Sequence, residues 1–207
     1  HAILQIFNVI TNAINHRKYT LAIFLDVAKA FDKVPVAKLL AKVKAKGIRG
    51  NILNWIKDWL SNRKQRVVLN GKFSTWLEVF SGVPQGSVLG PLLFLIFIDD
   101  LDDFAPLIKN LSKFADDTKL GHPVLNDEDR NILQSQLDSL SKWAETWGMQ
   151  FNVSKCKVMH VGNRNQKFDY SMQGQVLSTV EQEKDIGITF VETLKPSLYC
   201  SEASRIA

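Results

Sequence analysis

Apolar positions recur along the chain with two periods, and the changeovers between them divide it into helices and strands. Ile3, Leu4, Phe7, Ile10 and Ile14 share one stripe of a 3.6-residue repeat and predict a helix over residues 2–16. The unbroken apolar run from Thr20 to Asp26 (TLAIFLD) ends in a carboxylate and reads as a strand buried on both faces. Helical spacing returns over Val36 to Lys46, closing at Gly47, and over Asn51 to Leu60, where Leu53, Ile56, Trp59 and Leu60 are the expected buried positions. Arg66 to Leu69 and Phe73 to Phe80 predict two strands joined at Asn70-Gly71, a pair suited to the tightest hairpins because both residues tolerate positive φ.

Further along, Ser81 to Gly90 (SGVPQGSVLG) is a loop, and Pro91 suits the first turn of an apolar helix running to about Ile98. Lys109 to Ala115 and Thr118 to Gly121 predict short strands on either side of Asp116-Asp117. Asn126 caps a long amphipathic helix whose first turn carries Asp127, Glu128 and Asp129, where the helix dipole favours negative charge. That helix is expected to bury Leu133, Leu137, Leu140 and Trp147 and to stop at Gly148; strands follow at Lys157 to Val161, Val176 to Val180 and Asp185 to Phe190. There is no internal repeat or low-complexity linker. Short hairpins dominate the interleaved elements, which favours an α+β fold over a parallel α/β sheet.

With 207 residues, 45% of them apolar, the chain is long enough to bury a core without disulfide or metal staples. Cys156 and Cys200 form no cluster with the four scattered histidines, and Cys156 and His160, four apart, are a lone pair rather than a zinc pattern. So few cysteines fit a reducing compartment. The longest apolar run, Pro91 to Ile98, is too short to span a bilayer. The chain starts at His1 and ends at Ala207 inside a helical stretch with no stop signal, so a longer parent protein is expected. Charge divides unevenly. Residues 26–66 hold eleven Lys and Arg against three acids, whereas residues 67–207 hold thirteen against eighteen. A basic lobe beside an acidic one suits a polyphosphate-binding enzyme that reserves carboxylates for cations. Lys38, Lys42, Lys44 and Lys46 read equally well as the solvated face of a helix.

Three acidic features compete for chemistry. Asp26 ends a buried strand, Asp116 and Asp117 lie between two short strands, and Asp99, Asp100, Asp102 and Asp103 follow the apolar helix. Two-metal phosphoryl chemistry needs carboxylates from separate elements converging on neighbouring cations, and oxygen ligands suit magnesium. A strand-end Asp beside an Asp pair in a hairpin turn meets that need. The third cluster sits at a helix C-terminus, against the dipole, and reads as a solvated connection. Taken alone, Asp-Asp in a turn is most often turn chemistry.

Five segments in order change that weighting: FLDVAKAFDKVP (Phe24 to Pro35), SGVPQGSVLGPLLF (Ser81 to Phe94), KFADDTKL (Lys113 to Leu120), MQFNVSKCKVMHVG (Met149 to Gly162) and EKDIGI (Glu183 to Ile188). They resemble polymerase motifs A to E of reverse transcriptases from non-LTR retrotransposons, particularly jockey-like lineages, across nearly the whole chain. The resemblance implies a polymerase palm with a central antiparallel sheet packed on helices, partial fingers and only the start of a thumb: residues 1–190 as palm with part of the fingers, 191–207 as the start of the thumb or a connecting segment. It implies an RNA-directed DNA polymerase of retrotransposition, using two Mg²⁺ ions (Mn²⁺ as substitute), an RNA template, a DNA primer and deoxynucleoside triphosphates, inside the cell in cytoplasm and nucleus and without a membrane partner.

By the same resemblance Asp26 is the motif A metal ligand, with the Val27 carbonyl assisting, and Asp116 and Asp117 are the motif C pair. Phe31, five residues after Asp26, stands at the steric-gate position that selects deoxynucleotides; read without the family it is a core Phe. Gln85 and Gly86 match the motif B loop lying against nucleotide and template, and Gly82, Gly86 and Gly90 suit close backbone approach. Lys155 matches the motif D lysine that protonates the pyrophosphate leaving group, and also reads as a snorkelling surface lysine. Lys184 to Gly187 match the primer-grip turn. Basic residues between 29 and 66 are candidates for the template–primer path. Trp55, Trp59 and Trp76 are candidate stacking platforms, although helical spacing makes the first two core residues.

The chain departs from the family pattern in lacking upstream finger motifs and an endonuclease domain, and the thumb barely begins after about Val191. Ala28 stands where relatives often carry a small hydroxyl residue, and Asp99 where Asn is frequent. The alternative is therefore a truncated, catalytically silent relic or a domesticated nucleic-acid-binding module. RNA-dependent RNA polymerase chemistry is disfavoured by Phe31.

Overall fold

The computed structural model describes residue 11 and residues 20–162, 166–185 and 188–192. Apart from residue 11, the helix expected over residues 2–16 lies outside the described residues, as do the Ile186-Gly187 tip of the primer-grip turn and the C-terminal helical stretch. In chain order the elements are β1 (Thr20–Asp26), α1 (Ala30–Lys33), α2 (Val36–Ala45), α3 (Gly50–Leu60), β2 (Arg63–Gln65), β3 (Val68–Leu69), β4 (Lys72–Phe73), β5 (Leu77–Val79) and α4 (Leu89–Ile98). After a 3₁₀ turn at Asp99–Phe104 come β6 (Asn110–Phe114), β7 (Asp117–Pro123), α5 (Asp127–Trp147), β8 (Lys157–Val161), β9 (Ser171–Met172), β10 (Gln175–Val176), β11 (Ser178–Thr179), β12 (Gln182–Asp185) and β13 (Ile188–Val191). They divide into two compact units, one of residues 1–27, 102–143 and 151–207, the other of residues 28–101 and 144–150.

The first unit is built on a five-stranded sheet of order β11-β8-β1-β7-β6, antiparallel except where β11 runs parallel to β8. The expected α+β architecture with a central antiparallel sheet is thus the one observed. The apolar run predicted as a doubly buried strand is β1, near the middle of the sheet, with Leu21, Ala22, Ile23 and Leu25 almost wholly inaccessible. Because side chains alternate across a strand, Ala22, Phe24 and Asp26 share one face. On that face Ala22 and Phe24 join Met159, Val161 and Phe190 in a core cluster, and the Phe24 and Phe190 rings lie 6.0 Å apart, tilted by 54°. Each of the larger side chains in it contributes roughly 1.5–3 kcal/mol by leaving water.

α5 begins where its sequence says it should. Asn126 Oδ1 accepts the Asp129 N–H at 2.8 Å, and Asp129 Oδ2 accepts the Leu125 N–H at 2.8 Å, so two N-terminal donors are satisfied reciprocally. It ends at Gly148, whose φ of 73° reverses the chain while the Met149 N–H reaches the Ala144 carbonyl at 2.7 Å. Leu133, Leu137 and Leu140 are fully buried, as the periodicity requires, but the large buried aromatic is Trp143 and Trp147 is only half-buried. The tail also differs from expectation. Val176 to Val180 is split into β10 and β11, and Asp185 to Phe190 is not one strand but part of a β12–β13 hairpin. Runs of four to six mixed residues carry too little periodicity to distinguish one strand from two.

The second unit holds α1 to α4 and the ribbons β2–β5 and β3–β4. Asn70 and Gly71, with φ of 49° and 74°, close the β3–β4 hairpin where the dipeptide predicted, but the strands are shorter than expected. Trp55, expected in the core, is 58% exposed and stacks on half-buried Trp59 at 6.4 Å. The lysines of α2 are not a merely solvated face. Lys42 is buried, ion-paired to Asp100 at 2.5 Å and seated 3.6 Å from the Trp147 ring centroid. Lys46 pairs with Asp99, and Lys38 donates to the Thr146 carbonyl at 2.7 Å. The aspartates after the apolar helix, expected to form a solvated connection, therefore include two that neutralise α2.

Two consequences can be measured. Lys42→Ala removes the buried ammonium that pairs with Asp100, and urea denaturation should show a loss of about 2–3 kcal/mol, less than for a fully buried pair because Asp100 is partly exposed; Lys42→Met with Asp100→Leu should recover most of it. His122, buried in β7, has its pKa pushed below the ordinary 6.5, chiefly by desolvation, with Asp129 raising it and Lys109 lowering it. Below pH 6.5 the unfolded chain therefore binds the proton that the folded one resists. Melting temperature should fall as pH drops from about 7 to about 5.5, and His122→Gln should flatten that slope.

Candidate active site

Asp26 stands at the C-terminal end of β1, and its placement follows from pairing on both sides. Along β1–β7 the register runs from Thr20 opposite Pro123 to Asp26 opposite Asp117, so two carboxylates face each other across adjacent strands. The β6–β7 hairpin turns through only Ala115 and Asp116, since Phe114 pairs with Asp117. Ala115 takes a φ of 52°, a conformation that a residue with a Cβ adopts at a cost of about 1 kcal/mol or more. Asp116 is thereby held at the tip of the turn, one residue from the paired position. All three aspartates are partly accessible.

The segment after α5 completes this end of the sheet. The Asn152 N–H donates to the Asp26 carbonyl at 2.8 Å, and the Asp26 N–H reaches Cys156 Sγ at 3.5 Å, while Val27 bridges to Phe151. A turn in which the Lys155 and Cys156 N–H groups return to the Asn152 carbonyl then carries the Lys155 ammonium to 4.0 Å from Asp26 Oδ2. Lys155 is exposed, so this pair is a weak and screened one. Burial pushes the Cys156 thiol up, which keeps it an inert packing group rather than a nucleophile or metal ligand. Asp26, Asp117, Ser154, Lys155, Lys157 and Lys184 line one cleft of about 360 Å³. Asn152 and Cys156, unremarkable in the sequence, are what fix the Asp26 backbone; only long-range pairing reveals them.

The fit to a divalent ion can be judged from charge and position. Like charges directly opposite in a ladder repel, and a cation between them removes that repulsion. Among the described residues no three His, Cys, Asp or Glu side chains form a ready-made ion site. That is compatible with magnesium, which commonly takes one or two protein carboxylates and fills its shell with water and substrate phosphate oxygens. The carboxylates present fit such an ion.

The remaining sequence candidates lie in the second unit. Phe31 is half-buried, its ring stacked on Phe94 at 4.5 Å between centroids, and its carbonyl accepts the Val83 N–H at 2.8 Å. Gln85 is exposed and donates from Nε2 to Asp32 Oδ1 at 3.0 Å; Gly86, with φ 77°, has open space about it. Gly82 and Gly90 are required by contact, since a Cβ would fall 2.6 Å from the Asp32 carbonyl oxygen and 2.5 Å from that of Pro84. Arg63, not singled out in the sequence, anchors this loop by donating to the Ser81 and Gly82 carbonyls at 2.9 and 2.6 Å. No helix among the described residues is long and apolar enough to cross a membrane.

An antiparallel sheet presenting opposed strand-end and hairpin-turn carboxylates has the architecture of a polymerase palm. The chain belongs to the reverse transcriptase (RNA-dependent DNA polymerase) family, whose model matches residues 2–189. The family is one of nucleotidyltransferases whose chemistry depends on divalent metal. The chain is 29% identical over 198 residues to the RNA-directed DNA polymerase from mobile element jockey of Drosophila melanogaster, a match covering 89% of this chain and 21% of that protein. It is 30% identical over 197 residues to the probable RNA-directed DNA polymerase from transposon BS of the same organism, with the same two coverages. The chain thus spans about a fifth of the length of these curated relatives. In fold it is similar to apo telomerase from Candida tropicalis truncated from its C-terminal domain, with a TM-score of 0.58 at 14% identity, covering 84% of this chain and 37% of that one.

If the opposed carboxylates form a cation site, a substitution at Asp117 should remove the stabilisation that a bound ion gives. Millimolar Mg²⁺ should raise the melting temperature of the unsubstituted protein and leave that of Asp117→Asn nearly unchanged in scanning calorimetry.

Proposed function

We propose that this chain carries the nucleotidyl-transfer centre of an RNA-directed DNA polymerase, which adds deoxynucleotides to a primer 3′-hydroxyl on an RNA template during retrotransposition. The observation that supports it most directly is Asp26 standing opposite Asp117 across β1 and β7, with Asp116 in the adjoining turn. In this reading Asp26, Asp116, Asp117 and the Val27 carbonyl hold two magnesium ions, for which manganese can substitute. When bound, the ions activate the primer hydroxyl and neutralise charge on the triphosphate.

The protein's own groups then have distinct tasks. The carboxylates fix where cations and phosphates can lie. Lys155, tethered by the Asn152 turn near Asp26, supplies positive charge beside the cleft and a proton for the departing pyrophosphate. Phe31, braced from behind by Phe94, presents a rigid ring that excludes a 2′-hydroxyl. Gln85 and Gly86 lie against nucleotide and template, Gly86 allowing close backbone approach. Residues 1–190 act as palm with part of the fingers, and 191–207 lead toward a thumb. Work of this kind belongs to the cytoplasm and nucleus.

Primer extension on an RNA template in Mg²⁺ tests the assignment. Deoxynucleotide addition should fall by about a hundredfold or more in Asp116→Asn, and extension surviving that substitution would overturn the site. Phe31→Val should raise ribonucleotide use relative to deoxynucleotide use by about tenfold or more. Salt-dependent RNA binding with no extension would favour a nucleic-acid-binding module instead.

A further inference from the structure

Two segments far apart in the sequence are laced together in the second unit, residues 31–34 and residues 81–85. The Val83 N–H donates to the Phe31 carbonyl and the Gly82 N–H to the Val34 carbonyl, each at 2.8 Å. Ser81 Oγ donates to the Asp32 carbonyl at 2.8 Å. Each of these bonds uses the backbone. The remaining tie does not: it joins the Gln85 amide to the Asp32 carboxylate, two exposed side chains, at 3.0 Å.

Fold stability gains little from such a pair, because water competes for both partners. Orientation gains more. A carboxylate offers only acceptors, so the amide nitrogen must turn toward Asp32 and the amide oxygen away from it. A glutamine of this exposure would otherwise sample several rotamers and both amide orientations. Packing gives the loop no support on the other side, since Gly86 has a φ of 77° and a Cβ there would meet nothing within 4 Å.

Asp32 also adjoins Phe31, whose ring is braced on Phe94 at 4.5 Å but only half-buried. A ring that excludes a hydroxyl group by contact has to be held to a fraction of an ångström. The loop lies directly on this segment: a Cβ at Gly82 would fall 2.6 Å from the Asp32 carbonyl oxygen and 2.7 Å from that of Phe31. A shift of the loop is therefore passed to the ring.

We infer that Asp32 is a specificity-determining positioning residue. Its carboxylate fixes the Gln85 amide, and through that tie it keeps the Phe31 ring where it rejects a 2′-hydroxyl. The inference deepens the polymerase reading and rests on it; Asp32 acts through Gln85 and Phe31 and is not offered as a metal ligand.

Single-nucleotide primer extension, run with a deoxynucleotide and with its ribonucleotide, gives two values of kcat/KM whose ratio reads the gate. Asp32→Ala removes the carboxylate and keeps the backbone bonds, and should lower the preference for the deoxynucleotide about fivefold. Asp32→Asn retains an oxygen that accepts from Gln85 and should stay within about twofold of the parent. In a Gln85→Ala background, Asp32→Ala should add nothing further, because its effect passes through Gln85. One readout needs no activity: in EDTA, hydrogen exchange at the Val83 N–H should quicken about fivefold in Asp32→Ala. An unchanged sugar preference in Asp32→Ala, with or without a lower melting temperature, overturns the inference and leaves the polymerase reading standing. Equal losses in Asp32→Ala and Asp32→Asn, additive losses with Gln85→Ala, or unchanged exchange at Val83 do the same. A parent that extends no primer overturns both.

Discussion

The antiparallel register of β1 against β7 is the constraint on which the candidate site depends. It brings Asp26 opposite Asp117 and puts both on the face occupied by Phe24 and Ala22. A slip of one residue would turn the carboxylate of one strand to the other face and break the alternation of buried side chains at the same time. The two errors cannot be separated, so burial of Leu21, Ile23 and Leu25 guards the site's geometry as well as its stability. The tight turn at Ala115 and Asp116 fixes the β6–β7 register at the same end of the sheet, with positive φ accepted at Ala115 to do so.

That arrangement places like charges in adjacent ladder positions, an unfavourable choice for stability alone. Beside Asp26 an exposed lysine lies at 4.0 Å, delivered by a turn hydrogen-bonded to the backbone of Asp26 itself. Carboxylates opposed across a ladder have a physical reason to accept a cation. The second unit shows the opposite treatment of charge. There Lys42 is buried and fully committed to Asp100, the Phe97 carbonyl and the face of Trp147, and Lys46 is paired with Asp99. The positive balance of residues 26–66 is therefore partly consumed in holding helices together.

Long, strongly periodic segments were legible from the chain. β1, α2, α5 and the Asn70-Gly71 hairpin lie where patterning and turn chemistry put them, because local preference and tertiary packing agree there. Trp55 and Trp147 were misjudged, since helical spacing states which residues share a face but not whether anything covers that face. The tail after Gly174 differs from its pattern because strands of two to four residues have no measurable period. Motif order in the sequence is what points to Asp26, Asp116, Asp117 and Lys155 as candidate site residues. The supporting groups Asn152, Cys156 and Arg63 were not legible there, because their roles exist only as hydrogen bonds to residues distant in sequence.

By itself the sequence determined which residue types are available, where the main helices and the buried strand begin and end, and the family to which the ordered motifs belong. These depend on local sterics, capping and burial, which are written within a few residues of each position. Only the tertiary structure decided that Asp117 is the residue facing Asp26, that Lys42 is an internal cation rather than a surface one, and that the aromatic ribbon at 63–80 stands exposed. Each of these depends on which strand or helix lies alongside another, a choice made by non-local packing.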